Sequence, residues 1–210
     1  MNIKYFVRTI PERTFNYQGI EYTKLVDYAH QPLQSFIAQL DLIGDYDAVL
    51  LEDDVILCNN FKDEIEKVIA KYPDKIINFY TKPKFYIQTE ETFDFRYNQC
   101  TYYPKGVGKI VAAKMREILP RFGKQQRLWC VVERMALREL QITHIAYRPC
   151  LVQHPDDESI LNSHDPKKCD YSTIYFKDYL DELNVDYADA NTLHIRNKLE
   201  KIKFKHLGKK

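Results

Sequence analysis

The stretch Tyr46–Phe61, YDAVLLEDDVILCNNF, decides how the chain folds. Ala48 to Leu51 are successive apolar residues, the pattern of a strand buried on both faces. Three carboxylates, Glu52, Asp53 and Asp54, stand where that strand emerges. Adjacent acids repel one another unless a cation or hydrogen-bond donors compensate. In an open α/β sheet, ligands bind at the carboxyl ends of strands. A hard divalent ion, Mg2+ or Mn2+, bridging phosphate oxygens is the compensation such a site predicts. The competing reading is an acidic surface turn, and a buried strand directly before the acids weighs against it.

Working outward, Ile3 to Thr9 is short, apolar and β-prone and reads as a buried first strand. Ile10 to Gly19 is polar and carries Pro11, so a loop is expected, and Ile20 to Val26 reads as a second strand. Pro32 suits a first helical position. Leu33, Phe36, Ile37 and Leu40 keep helical spacing as far as Ile43, and Gly44 stops the helix. After the acids, Val55 to Cys58 is a brief apolar run. Asn60 is placed to cap a helix through Tyr72, with Phe61, Ile65, Val68 and Ile69 on one face.

Ile76 to Tyr80, Phe85 to Ile87 and Gln99 to Tyr103 are strand-like. Helices are predicted over Val107 to Leu119, ended by Pro120, and over Trp129 to Leu140. Gly123 to Arg127 reads as a polar loop between them. Strand-like runs at Ile145 to Tyr147 and Cys150 to Gln153 precede an irregular polar segment, His154 to Lys168. Ser172 to Leu183 and Thr192 to Leu207 then read as helices. Strands alternating with helices predict a single α/β domain built on a mostly parallel central sheet, residues 1–190, followed by a basic helix or tail, 191–210.

A chain of 210 residues supports one sizeable core, and 45% hydrophobic content excludes a disordered class. Arg8 interrupts the N-terminal apolar run too early for a secretory signal, and no apolar run is long enough to span a membrane. Five cysteines without a Cys-x-x-Cys pair fit reduced thiols better than structural zinc or a disulfide framework. A cytoplasmic protein, or one acting in a host cytoplasm, is the expectation. The net charge of +1 hides an asymmetry: residues 196–210 carry seven basic side chains against one acid, leaving the remainder at −5. Such a tail can meet a polyanion or be an ordinary solvated helix.

The segment YDAVLLEDDVILCNNF resembles the metal motif of GT-A glycosyltransferases, in particular the LEDD type found in lipopolysaccharide-type glycosyltransferases. The resemblance implies a GT-A-like, Rossmann-type domain that transfers a hexosyl or pentosyl group from a nucleotide-diphosphate sugar, a UDP-sugar first among candidates. It implies that Asp54 holds the metal while Glu52 and Asp53 face the nucleotide sugar. VRTIPER, Val7 to Arg13, then offers Arg8 and Arg13 to the diphosphate or base, since a guanidinium pairs with phosphate through two parallel bonds. Ordinary surface arginines would give the same pattern. The family's late metal ligand, a histidine after a short strand, corresponds to His154 in RPCLVQH, Arg148 to His154. An inverting transfer needs a carboxylate base, and Glu133 in LWCVVERMALREL sits where the family often has an acid. Its alternative role is an ion pair with Arg134 or Arg138. A retaining enzyme needs no such base.

The same histidine opens HPDDE, residues 154–158, which matches the zinc motif of sugar N-deacetylases. In those enzymes the motif follows the first strand and a Gly-rich turn comes next. Here it stands late, and no glycine follows until Gly208. The deacetylase reading also leaves LEDDV unexplained. Asp156, Asp157 and Glu158 are alternatively acceptor-binding or solvated.

The acceptor is less defined. The basic tail and 16 tyrosines, among them Tyr80, Tyr86, Tyr97, Tyr102 and Tyr103, suit an anionic acceptor with rings to stack on. Hydroxymethylated DNA bases of the kind glycosylated in phages, and lipid-linked or lipopolysaccharide saccharides, both qualify. A non-catalytic nucleic-acid-binding module using the tail is the remaining alternative.

Overall fold

The computed structural model describes residues 2–80, 89–95, 97–122, 129–155, 173–190 and 192–207. The chain opens with strand β1, Ile3–Thr9, and β2, Tyr22–Val26, followed by helix α1, Pro32–Ile43. The decisive stretch supplies β3, Asp47–Glu52, the short β4, Ile56–Leu57, and the start of α2, Phe61–Lys71. Then come β5, Ile76–Asn78, β6, Glu90–Thr92, and β7, Cys100–Tyr103. Helices α3, Val107–Ile118, and α4, Trp129–Glu139, precede β8, His144–Ala146, and β9, Val152–Gln153. Helices α5, Lys177–Leu183, and α6, Leu193–Leu207, complete the described chain.

Seven strands form one sheet in the order β2-β1-β3-β7-β5-β8-β6. The class is α/β, as the alternation predicts, and the sheet is mostly parallel but mixed: β7 and β6 run opposite to the other five strands. β2–β1, β1–β3 and β5–β8 pair parallel. β3–β7, β7–β5 and β8–β6 pair antiparallel. A parallel partner needs a crossover, usually a helix, whereas an antiparallel one does not. Between β5 and β7 the described residues contain no helix, and the chain returns in the opposite direction. An apolar run reports burial and carries no information about strand direction.

Side-chain alternation along the central strands divides the core in two. Tyr5, Val7, Val49, Leu51, Cys100 and Tyr102 face the layer that holds α2, α5 and α6. Phe6, Ala48, Leu50 and Tyr103 face the layer of α1, α3 and α4. The period-two pattern therefore builds three layers from uniformly apolar strands. Leu199 and Ile202 of α6 belong to the first core, so the basic C-terminal helix is anchored by packing.

The glycine after α1 acts through space, not through backbone freedom. Gly44 has φ −64°, an ordinary right-handed value. A Cβ there would lie 2.6 Å from the Lys109 side chain, and one on Gly108 would lie 2.6 Å from the Leu40 carbonyl oxygen. The two glycines let α1 and α3 meet backbone to backbone.

Other boundaries differ in informative ways. Pro120 does not stop the chain's helical course, which tightens into a 3-10 turn over Leu119–Phe122. Asn60 precedes α2 at φ 53° and makes no side-chain cap bond. The helix expected from Ser172 begins at Lys177, because Phe176 is drawn into a bridge with Cys150. β6 was not expected; its charged residues Glu90 and Glu91 hide an edge strand from a hydrophobicity reading. The expected strand Phe85 to Ile87, the loop Gly123 to Arg127 and nearly all of His154 to Lys168 lie outside the described residues.

Candidate metal and phosphate site

The site forms at the carboxyl ends of β1 and β3. Their parallel register places Arg8 beside Glu52, and Arg8 Nη2 donates to Glu52 Oε1 at 2.7 Å. The next residues leave the sheet as a tight turn. Tyr17 fastens it: its hydroxyl donates to the Glu52 carbonyl at 2.6 Å and accepts from Val55 N–H at 3.2 Å. Thr9 Oγ1 donates to Asp53 Oδ2 at 2.6 Å. Arg13 Nη1 reaches in from the β1–β2 loop, 2.6 Å from Asp53 Oδ1 and 2.7 Å from Asp54 Oδ2.

His154 arrives from a hundred residues away through a second, two-stranded sheet. β4 and β9 pair antiparallel with Ile56 opposite Gln153, so the residue before β4 and the residue after β9 lie side by side. His154 Nε2 stands 3.4 Å from Asp54 Oδ1. Its Nδ1 lies 2.6 Å from the Pro155 carbonyl oxygen. A carbonyl oxygen only accepts, so Nδ1 carries a hydrogen; in the protonated ring Nε2–H faces Asp54, and loss of that proton leaves at Nε2 a lone pair suited to a metal. Gln153 is the clamp behind it. Fully buried, it accepts from His154 N–H and Thr173 N–H at 3.0 and 2.8 Å, and donates to the Thr173 carbonyl at 2.7 Å.

The electrostatics follow from this crowding. For Asp54, burial disfavours the charged form, but His154 and Arg13 overcome it and hold the carboxyl well below the usual range. Burial, then the neighbouring Asp54 and Asp53, push Glu52 upward against the pull of Arg8. His154 is raised because Asp54 and Glu52 outweigh its burial. One oxygen, Asp54 Oδ1, is buried without a hydrogen bond of good geometry. Ligand atoms of Glu52, Asp54 and His154 all lie within 4.8 Å of one another. Two carboxylate oxygens and an imidazole nitrogen with its other nitrogen tied to a carbonyl are a donor set that fits Mn2+ or Mg2+, the imidazole favouring the former.

Glu133 lies beneath this surface. It is fully buried on α4. Tyr103 Oη and Asn98 Nδ2 donate to its two oxygens, the latter at 3.1 Å, and Trp129 Nε1 donates to Asn98 at 3.0 Å. Burial raises its pKa to about 7, against the opposing effect of Tyr103, Asn98 and Arg8. Neither Arg134 nor Arg138 pairs with it; both point toward Asp94, 3.4 and 3.5 Å away. Arg8 links the two levels. Its guanidinium carbon sits 4.9 Å from the Phe36 ring centre and 5.5 Å from that of Trp129.

The fold thus brings Arg8, Arg13, Glu52, Asp53, Asp54 and His154 into one cluster and sets Glu133 in the interior below it. Tyr17, Thr9 and Gln153 are supporting residues that sequence reasoning passed over. Only Gln153 carried a signal, as a polar residue inside an apolar run. Asp156, Asp157 and Glu158, which the deacetylase reading needs, lie outside the described residues. Tyr80, Tyr102 and Tyr103 are core residues with no exposed ring to offer. On α6, Lys205 and His206 pair with Glu182 at 2.9 and 2.7 Å. Among the described residues, no helix is long and apolar enough to cross a membrane. No protein-family model matches the chain, and neither does any curated protein.

Proposed function

We propose that the protein is a metal-dependent glycosyltransferase that moves a sugar from a nucleotide-diphosphate sugar to an acceptor hydroxyl. The observation that carries this reading is the meeting of Glu52, Asp54 and His154 within one metal's reach, beside two arginines, at the carboxyl ends of parallel strands. Asp54 and His154 are the proposed ligands, with Glu52 completing the set or turning to the nucleotide together with Asp53. When bound, Mn2+ or Mg2+ supplies positive charge to the diphosphate. Arg8 and Arg13 add theirs through guanidinium–phosphate bonds and fix the diphosphate's orientation.

In the reaction the bond between the anomeric carbon and the diphosphate oxygen breaks, and its electron pair leaves with the diphosphate. The acceptor oxygen forms the new bond and releases its proton. Glu133, raised to about 7, has the proton affinity of a base at neutral pH. It serves in that role if the acceptor hydroxyl takes the place of Tyr103 or Asn98 on its carboxylate; a retaining transfer dispenses with it. The acceptor we favour is anionic, a modified DNA base or a lipid-linked saccharide, consistent with the basic side chains along α6.

A thermal-shift screen of UDP-, GDP-, CMP- and dTDP-sugars with and without Mn2+ tests the reading. One donor should stabilise the protein, and only with the ion present. Absence of any metal-dependent shift overturns it. A nucleic-acid-binding module predicts instead that DNA or RNA binding persists in chelator and is lost on removing residues 196–210. A sugar N-deacetylase predicts release of acetate with Zn2+ and no response to nucleotide sugars.

A further inference from the structure

The two arginines of the site are held in different ways. Arg8 belongs to β1, is fixed by sheet register, and lies against the rings of Phe36 and Trp129. Arg13 belongs to the loop between β1 and β2. Its backbone makes one turn bond, N–H to the Ile10 carbonyl at 3.2 Å, and its side chain is 23% exposed. What positions its guanidinium is the pair of carboxylates it bridges, Asp53 and Asp54. One of those, Asp54, is also a proposed metal ligand, and the oxygen facing His154 is its other one, Oδ1.

A guanidinium and a divalent ion on the same carboxylate oppose each other. Without either, Glu52, Asp53 and Asp54 would have, among the described residues, Arg8 and His154 as cationic partners and Thr9 as a hydrogen-bond donor. We propose that Arg13 is a placeholder cation. It holds Asp53 and Asp54 in place in the metal-free protein and leaves Asp54 when metal and diphosphate arrive, transferring its fork to the diphosphate. This rests on the metal-dependent reading above and adds a regulation to it. The ion and the nucleotide bind cooperatively because both draw on the release of one side chain, and the coupling is reciprocal. Arg8, locked by strand and rings, cannot make that exchange.

The test is calorimetric titration of wild type, Arg13→Gln and Lys24→Gln with Mn2+ alone, then with UDP at saturating Mn2+. Lys24 is an exposed cation on β2, near the loop, whose ammonium lies 4.6 Å from the Phe15 ring centre and controls for general charge. Arg13→Gln should bind Mn2+ alone about tenfold more tightly, since a charge-assisted bond to Asp54 no longer competes, and bind UDP about tenfold more weakly. Lys24→Gln should leave both constants unchanged. Equal or weaker Mn2+ binding by folded Arg13→Gln overturns the placeholder while leaving the metal site standing. An equal effect of Lys24→Gln overturns it too, by assigning the change to long-range charge. If folded wild type and Arg13→Gln both fail to bind Mn2+, the metal reading fails and takes the placeholder with it. Arg13→Lys, which keeps the charge on a single-point head group, should fall between and guards against a misfolded glutamine variant.

Discussion

Charge gathers in two places in this molecule, the strand ends and helix α6, and the two are built on opposite terms. At the strand ends, Arg8, Arg13, Glu52, Asp53, Asp54 and His154 come from three separate stretches of chain and are half-buried or buried. Several of these side chains pair with one another, and neighbours such as Tyr17 and Gln153 order the segments that carry them. On α6 the basic residues follow one another in sequence and stand mostly in solvent, and Lys205 and His206 meet Glu182. Water solvates the second kind cheaply. The first requires a fold that compensates for desolvation at each group, so it persists where the geometry itself is useful.

The comparison breaks first, and most visibly, at Asp54. Asp54→Asn keeps the shape and removes the charge; Mn2+ affinity should fall by more than about a hundredfold, beyond the loss typical of an outer partner. Titration with Mn2+ reads it, and unchanged affinity would remove Asp54 from the ligand set. Gln153→Leu comes next. It strips the partners from the Thr173 amide and carbonyl and frees His154, so urea denaturation should show a loss of about 2–3 kcal/mol, and metal affinity a loss of about 10–100-fold.

Two interior groups sharpen the contrast through pH, in opposite directions. His144 is fully buried on β8 against Phe95, and burial lowers its pKa to about 4. Its contribution is fully present above the unfolded value of about 6.5 and is lost as pH falls toward 4, about 3 kcal/mol in all. Glu133 is raised, so its contribution is present below the unfolded value of about 4.3 and is lost as pH rises through about 7. His144→Leu should remove the loss of stability as pH falls from about 6.5 to 4, and Glu133→Gln the loss as pH rises from about 4.3 to 7. Denaturant midpoints from pH 4 to 9 check both. If Glu133→Gln also abolishes turnover while Mn2+ and UDP still bind, the base assignment gains a readout that a packing role does not give. The smallest effect belongs to α6: Glu182→Gln should leave the melting temperature unchanged at 150 mM salt, about a Debye length of 8 Å being enough to screen an exposed pair. A clear destabilisation would place α6 with the strand ends rather than apart from them.

Much of this was legible in the chain. β1, α1 and β3 lie where apolar runs, Pro32 and Gly44 put them, because each is decided by burial and local backbone chemistry. The acids at the end of β3 were visible for the same reason. Strand direction was not, since an apolar run reads alike both ways, and β7 entering antiparallel is settled by what fills the space between β3 and β5. Nor were the fixings of the site. Tyr17 in a polar loop and Thr9 at the end of β1 are unremarkable until the fold sets them against Glu52 and Asp53. His154 was found through its neighbours in sequence, but its partnership with Asp54 depends on a ladder only two residues long. Glu133 was seen as an acid among apolar residues; that Tyr103 and Asn98 enclose it is a matter of packing between layers.

The place of β7 has a consequence for how the chain can be assembled. β3 and β5 never touch as strands; each is hydrogen-bonded to β7 instead. A nascent chain that has completed β1 to β3 therefore holds a parallel trio with one open, apolar edge until Cys100–Tyr103 emerges about fifty residues later. Any fragment ending before residue 100 inherits that edge, and a split placed there would leave β3 and β5 on one piece and β7, the strand that joins them, on the other. A cut in the long stretch between β9 and α5 instead leaves the whole seven-stranded sheet on one piece.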